Sequence, residues 1–346
     1  MTPGHDSSPA PRRRGTVDDL VLTAAGVLAR DGRGRCLLVE LAYDLHHPFA
    51  VPGGGSEPHE TPRATAAREV LEELGLEAEL GEVACVDYVL GADRPPVIAY
   101  LYRTARPLTD QDLERIRMQE SEIRGWSLYT PQQCTQLLPP RLGRRVAAAL
   151  AAADQGSSGP ALVAGRPHDP HATAKLLIAA ERTTTTPRSV PPPGVVLPMD
   201  RPAYLASRPR AHCRAEVLIT RPDGRLWVAT GPQGPRLLGG PVPVHQELPQ
   251  QTATRLTRLR GPLTLRAIDW VTSTPRPTVV HLYSLHTASS PTGPGMWIRP
   301  ADIPATLPPT DAQRIQSVLL RTEFTELVDA IPPTHSTTPE APHGDH

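Results

Sequence analysis

The chain has 346 residues, enough for about two domains, and its 36 Lys and Arg balance its 36 Asp and Glu. A net charge of zero and a near-neutral pI give no electrostatic case for a nucleic-acid backbone as partner. No run of about 18 apolar residues is present, so no membrane span is expected. The four cysteines (Cys36, Cys85, Cys134, Cys213) are scattered without a Cys-x-x-Cys spacing and read as free buried thiols of a cytoplasmic protein.

Residues 1–18 are rich in Pro, Ser and Arg, hold no apolar core of the kind a signal peptide carries, and are expected to be a disordered tail. Residues 21–29 read as a strand. Asp31-Gly32-Arg33-Gly34 reads as a turn and Cys36–Leu41 as a second strand, so a hairpin is expected. A loop from Tyr43 to Phe49 leads to Val51-Pro52 and three glycines, Gly53, Gly54 and Gly55.

The next stretch organises the chain. Thr61 is placed to cap a helix, Pro62 suits its first position, and Gly75 is a natural stop. Ala64, Ala67, Val70, Leu71 and Leu74 recur at helical spacing and predict one buried face. Glu69, Glu72 and Glu73 are predicted to share the other side, each like-charged pair costing roughly 0.2–0.5 kcal/mol on an isolated helix. Three acids beside a glycine turn call for a cation. Oxygen ligands with no Cys or His nearby favour Mg2+ or Mn2+ over zinc. Arg68 is spaced to pair with Glu72 or with Glu60 and so to hold the acids in place.

Beyond the helix, 84–90 and 96–102 read as strands, 109–119 as a short helix or loop, and 122–128, with Trp126, as a further strand. Residues 131–138 and 140–153 read as helices. Residues 155–210 hold Gly-Ser-Ser-Gly, a Thr run and Pro191-Pro192-Pro193, and are expected to be a linker between domains. Within them the apolar piece Ala172–Ala180 could dock on either domain.

The second half repeats the first. Residues 215–220, the turn Pro222–Arg225 and residues 226–229 copy the opening hairpin. Leu238-Gly239-Gly240-Pro241 follows, Glu247 and Arg255 keep the spacing of Glu60 and Arg68, Trp297 stands where Trp126 stood, and 311–330 reads as a closing helix. The acids are gone: Arg255-Leu256-Thr257-Arg258-Leu259-Arg260 replaces Arg68–Glu73, and Pro249 is expected to interrupt the helix start. The tail from Pro332, with His335, His343 and His346, is expected to be floppy.

The stretch Gly54–Leu76 resembles the Nudix box. Gly54, Glu60, Arg68, Glu69, Val70, Glu72, Glu73, Gly75 and Leu76 fill every specified position. The resemblance implies an α/β fold with a Nudix-type mixed β-sheet sandwiched between helices, duplicated here, the second copy degenerate. The expected domains are a catalytic one over 19–154 and a degenerate one over 211–331. The resemblance also implies a hydrolase that cleaves a diphosphate linkage in a nucleoside diphosphate joined to another group, with Mg2+ or Mn2+ as cofactor. It makes Glu72 and Glu73 metal ligands, Glu69 a ligand or the general base, the Gly53 carbonyl a further ligand, and Arg68 and Glu60 a lock of loop onto helix. A further acid from a later loop is Glu120 or Glu122, with Glu122 favoured. Tyr43, Phe49, Tyr88 and Tyr100 are candidates for stacking on a base. The partner is a small nucleotide; nucleic acid and membrane are not expected. Pairing as a homodimer, or as an internal pseudo-dimer of the two halves, fits the family. A non-catalytic nucleotide-sensing or scaffold role is the alternative.

Overall fold

The computed structural model describes residues 20–90, 95–155, 161–167, 201–244, 246–321 and 324–333. Residues 1–18, Ala172–Ala180, and His335, His343 and His346, singled out above, lie outside the described residues.

In the first half, β1 (Leu20–Leu28) is apolar along most of its length and buried at almost every position, as a strand covered on both faces requires. It lies parallel to β6 (Val97–Thr104) and antiparallel to β4 (Gly53–Gly55). β5 (Leu80–Val89) runs antiparallel to β6 and parallel to β8 (Ala161–Val163), which turns back into β9 (Arg166–Pro167). A separate three-stranded sheet joins β2 (Cys36–Leu41) to β3 (Phe49–Ala50) and β7 (Ile123–Tyr129). The helix α1 (Pro62–Leu74) packs on β1 and β4, and the helix Pro140–Asp154 covers β5.

The second half repeats these pairings. β10 (Ala211–Thr220) is antiparallel to β11 (Leu226–Gly231), which pairs with β12 (Gly234–Arg236). β10 is also antiparallel to β13 (Leu238–Pro241). β14 (Thr264–Val271) is antiparallel to β15 (Thr278–His286), and β15 is parallel to β10. β16 (Gly295–Ile298) joins β11, and β17 (Thr325–Val328) runs parallel to β14. The likeness reaches individual side chains. Asp87 accepts from Gly165 N–H at 2.9 Å and pairs with Arg145; Asp269 accepts from Ala330 N–H at 3.0 Å and pairs with Arg314. Both turns put two successive residues at positive φ, Ala164-Gly165 and Asp329-Ala330.

β1 and β10 meet antiparallel through Leu20↔His212 and Val21↔Ala211, so one sheet runs through both halves in the order β17-β14-β15-β10-β1-β6-β5-β8-β9. One core cluster draws on both, with Val21, Ile98 and Tyr100 beside Ala211, Val279 and Tyr283. Glu326 of β17 pairs with Arg63 of α1 at 2.9 Å and accepts from the Tyr102 hydroxyl. No helix among the described residues is long and apolar enough to cross a membrane.

Several expectations are corrected. β1 and β2 do not form a running hairpin. The Asp31 carboxylate pins the turn by accepting from Arg33 and Arg35 N–H, and Leu37 N–H reaches Ala29, but β2 then leaves for the other sheet. It does so because both its faces are claimed, Leu37 and Val39 by one core cluster and Cys36 and Leu38 by another. Inside the stretch expected as a linker, residues 161–167 form β8 and β9 and residues 201–207 form a helix. The helix expected over 311–330 spans Pro309–Leu319, and the β-prone run after it becomes β17. Pro249 does not interrupt its helix. It opens the helix Pro249–Thr257 at the first position, where a missing N–H costs nothing, as Pro62 opens α1.

Candidate active site

The site is built on the junction of β4 with α1. Gly53 has φ 148°, and a Cβ there would lie 2.4 Å from Ala25 O and Gly26 Cα, so the turn can press onto β1 only with glycine. Its N–H is thereby aimed at Oε2 of Glu73, 3.0 Å away. At Gly54 a Cβ would meet the carboxyl of Glu69 at 2.4 Å; the bare backbone lets that carboxyl lie against the turn.

α1 is capped by Thr61, whose hydroxyl accepts from Ala64 N–H, and it ends at Gly75 in the left-handed region. The buried face differs from the expected one. Thr65, Ala66, Val70, Glu73 and Leu74 are buried, whereas Leu71 is 48% exposed and Ala64 is exposed. The helix is rotated toward its acids because Glu69 and Glu73 reach inward to the glycine turn. The three glutamates therefore do not share one side: Glu72 points outward and is half-exposed.

Arg68 ties the pieces together. It bonds Glu60 at 2.6 Å, Glu69 at 3.0 Å, Glu72 at 2.8 Å and the Gly55 carbonyl at 3.2 Å. Glu60 in turn accepts from the Thr65 hydroxyl, and the hydroxyls of Thr65 and Thr23 both hydrogen-bond that of Ser56, a polar relay from α1 through the loop to β1. Burial alone would raise the Glu60 carboxyl, but its bonds to Arg68, the Glu57 N–H and Thr65 together hold it below the ordinary carboxylate range.

The inner acids behave oppositely. Burial and the Glu69 charge push Glu73 up to about 8, against the Gly53 N–H, which favours the charged form; Glu122 and Glu72 add to the rise. Glu69 is raised by burial and by Glu72 and Glu122, with Arg68 pulling the other way. Carboxyls that resist losing their protons beside one another are groups that a divalent cation would relieve.

Glu122 is half-buried and its charge is felt at both Glu69 and Glu73. It is carried by the loop before β7, which is tied to the end of α1 by Gln119 N–H to Glu73 O and Arg117 N–H to Leu74 O. Glu120, one turn earlier, is exposed. Among the described residues no three His, Cys, Asp or Glu side chains converge tightly enough to enclose an ion. The donor set of Glu69, Glu73 and Glu122 is nevertheless all oxygen and charge-strained, which suits Mg2+ or Mn2+.

Of the four aromatic candidates, Tyr43 alone lies beside the acids. Burial, with Glu73 and Glu122 next, pushes its hydroxyl well above the usual range. Tyr88 and Tyr100 are buried in the core, and Phe49 packs edge-on against Tyr129. Tyr204 and Arg208 were not singled out from the sequence, yet both reach the turn at Gly55. Their only sequence signal is the short helix-prone run Ala203–Ala206 inside a Pro- and Thr-rich stretch.

At the matching place of the second half, Glu247 still accepts from Arg255 at 2.8 Å and from Thr252 at 2.7 Å. Leu256 fills the position of Glu69 and packs 3.5 Å from where a Cβ on Gly240 would stand. The lock of loop onto helix is kept, and an isobutyl group stands where the Glu69 carboxyl stands in the first half.

Residues 21–150 match the family model described as NUDIX domain. No curated protein matches the chain. Among solved structures, the chain is similar to the MutT protein from Methanosarcina mazei Go1, at 20% identity over 38% of this chain and 96% of that one, with a TM-score of 0.32. It is similar to a C. elegans Ap4A hydrolase in a binary complex, at 21% identity over 38% and 98%, with a TM-score of 0.31. It is also similar to an ADP-ribose pyrophosphatase from Streptococcus suis 89-1591, at 18% identity over 42% and 98%, with a TM-score of 0.28.

Proposed function

Residues 21–150 match the family described as NUDIX domain, and from that match we propose that the chain is a divalent-metal-dependent pyrophosphohydrolase. Its substrate is a nucleoside diphosphate joined to another group: a nucleoside triphosphate, an oxidised nucleotide, ADP-ribose or a nucleotide sugar. The observation that carries this reading is the buried Glu73 held by the Gly53 N–H, with the part-buried Glu69 lying against Gly54, both with raised proton affinity.

Glu69, Glu73, Glu122 and the Gly53 carbonyl would hold Mg2+ or Mn2+, with Glu72 joining from the outer side. The ion supplies charge neutralisation on the diphosphate oxygens and a more acidic water. Glu69 is the group placed to take the proton of the attacking water, since it lies against the open turn at Gly54. Arg68 orients Glu69 and Glu72 while fixing the loop through Glu60 and Gly55 O. Tyr43 lines the wall beside Glu73 and Glu122.

The second half is read as a degenerate copy of the same fold. The repeated pairings, the matched Asp–Arg pairs and the matched positive-φ turns support that reading. With Leu256, Leu259 and Arg260 in place of Glu69, Glu72 and Glu73, it lacks the three helix acids that would hold an ion, so it acts as a structural partner, an internal pseudo-dimer half. By the pairing of β8 with β5, the first unit extends to residue 167, beyond the boundary at 154. The buried free thiols fit a cytoplasmic setting. Hydrolysis of a nucleotide panel by the full chain with Mg2+, beside Glu73→Gln, tests the proposal.

A further inference from the structure

The helix Arg201–Ser207 lies between the two halves in the chain and delivers two side chains to the glycine turn of the first. The Tyr204 hydroxyl stands 2.5 Å from where a Cβ on Gly55 would be, so only glycine there admits it. Arg208 Nη1 donates to the Gly55 carbonyl at 3.1 Å, the oxygen that also accepts from Arg68 at 3.2 Å. The Arg208 guanidinium lies over the Tyr204 ring, 4.3 Å from its centroid. In the second half the residue matching Gly55 is Pro241, so this docking belongs to the first site alone.

The two arginines at that carbonyl are differently engaged. Arg68 divides its donors among Glu60, Glu69, Glu72 and Gly55. Arg208 has a carboxylate only at 3.7 Å, from the half-exposed Glu57, and its buried Nε has no hydrogen-bond partner among the described residues. A guanidinium engaged only by one carbonyl and one distant carboxylate keeps Nη donors for a ligand. A diphosphate brings the oxygens that such a fork takes in charge-assisted bonds.

We infer that Arg208, held over the Tyr204 ring, grips a phosphate of the substrate that is not attacked, so that the segment between the halves completes the site of the first half. The inference rests on the reading of that site as a nucleotide hydrolase. Arg208 is a substrate-binding residue in it, and Tyr204 a positioning residue. A purely structural role, in which Arg208 only docks the helix on Gly55, would move stability and leave ligand affinity alone.

The test is calorimetric titration of the full chain, with Mg2+, using the non-hydrolysable α,β-methylene analogue of ADP. Arg208→Gln keeps a donor for Gly55 O and loses the charge; it is expected to weaken binding about tenfold or more, as loss of a charge-assisted bond does. Arg208→Lys recovers part of the loss, Tyr204→Phe stays near the parent, and Tyr204→Ala weakens binding. In turnover, Arg208→Gln raises KM with kcat nearly unchanged. Parent-like affinity in a folded Arg208→Gln overturns the inference, and so does absence of analogue binding by the parent chain. Hydrolysis by the parent with no Arg208 effect removes the grip and keeps the hydrolase; Arg208-dependent binding without hydrolysis does the reverse.

Discussion

Gly53 donates its backbone N–H to Oε2 of Glu73 at 3.0 Å, which joins the glycine turn to a carboxyl in the last turn of α1. That carboxyl is 5% exposed, and burial with the Glu69 charge raises it to about 8. Between its ordinary value of 4.5 and about 8, the folded chain keeps a proton that the unfolded chain has lost. Stability without divalent metal therefore falls as pH rises through that window and is flat above it, by an amount on the order of a few kcal/mol. Glu73→Gln is neutral at every pH. It should melt higher than the parent at pH 8 in EDTA, match it near pH 5, and lose the gain from added Mg2+. Scanning calorimetry over pH checks this; parallel melting curves for the two proteins would contradict it.

The contact of Glu69 with Gly54 predicts an asymmetry between the halves. Gly54→Ala drives a Cβ to within 2.4 Å of the Glu69 carboxyl. That carboxyl ends a flexible side chain, so it swings aside at little cost in stability. Displacing it by about 1 Å should cut kcat on the order of a hundredfold. Gly240→Ala meets only Leu256, at 3.5 Å, an ordinary contact. It should leave kcat unchanged and shift stability by less than about 1 kcal/mol, in either direction. Equal effects of the two substitutions on turnover would count against the assignment of Glu69.

Glu326 ties β17 to α1 and β6. It is 8% exposed and serves both Arg63 and the fully buried Tyr102 hydroxyl. Glu326→Ala leaves that hydroxyl unsatisfied and Arg63 short of a partner. A loss of about 2 kcal/mol in denaturant unfolding is expected, less than for a wholly buried pair because Arg63 is partly solvated. Glu326→Gln should lose less. A change in kcat larger than the change in stability explains would show that the second half tunes the first.

The geometry of the acid-bearing stretch was legible because its signals are local. Cap, stop, glycine turn and acid spacing all lie within Gly54–Leu76, and the Glu60–Arg68 lock forms as its spacing suggests. The Glu247–Arg255 pair was legible for the same reason, since it keeps that spacing. What was not legible depends on long-range packing. The sequence has three acids on one helix, but only the buried turn decides that Glu69 and Glu73 face inward and Glu72 outward. The parting of β1 from β2 comes from two core clusters that no local pattern reveals. β8, β9, the helix bearing Tyr204 and the residue Arg208 just after it sit in a Pro- and Thr-rich stretch whose composition reads as a linker. Their positions are set by partners far away in sequence, Val86–Tyr88 and Gly55.

The most direct measurement is turnover of the full chain with Mg2+ or Mn2+ against nucleoside triphosphates, oxidised nucleotides, ADP-ribose and nucleotide sugars, with Glu73→Gln alongside. The account predicts hydrolysis of a diphosphate linkage in one of these classes, lost in EDTA and in the variant while the variant remains folded. A folded, metal-binding parent that leaves the whole panel intact would contradict it and favour a nucleotide-sensing or scaffold role.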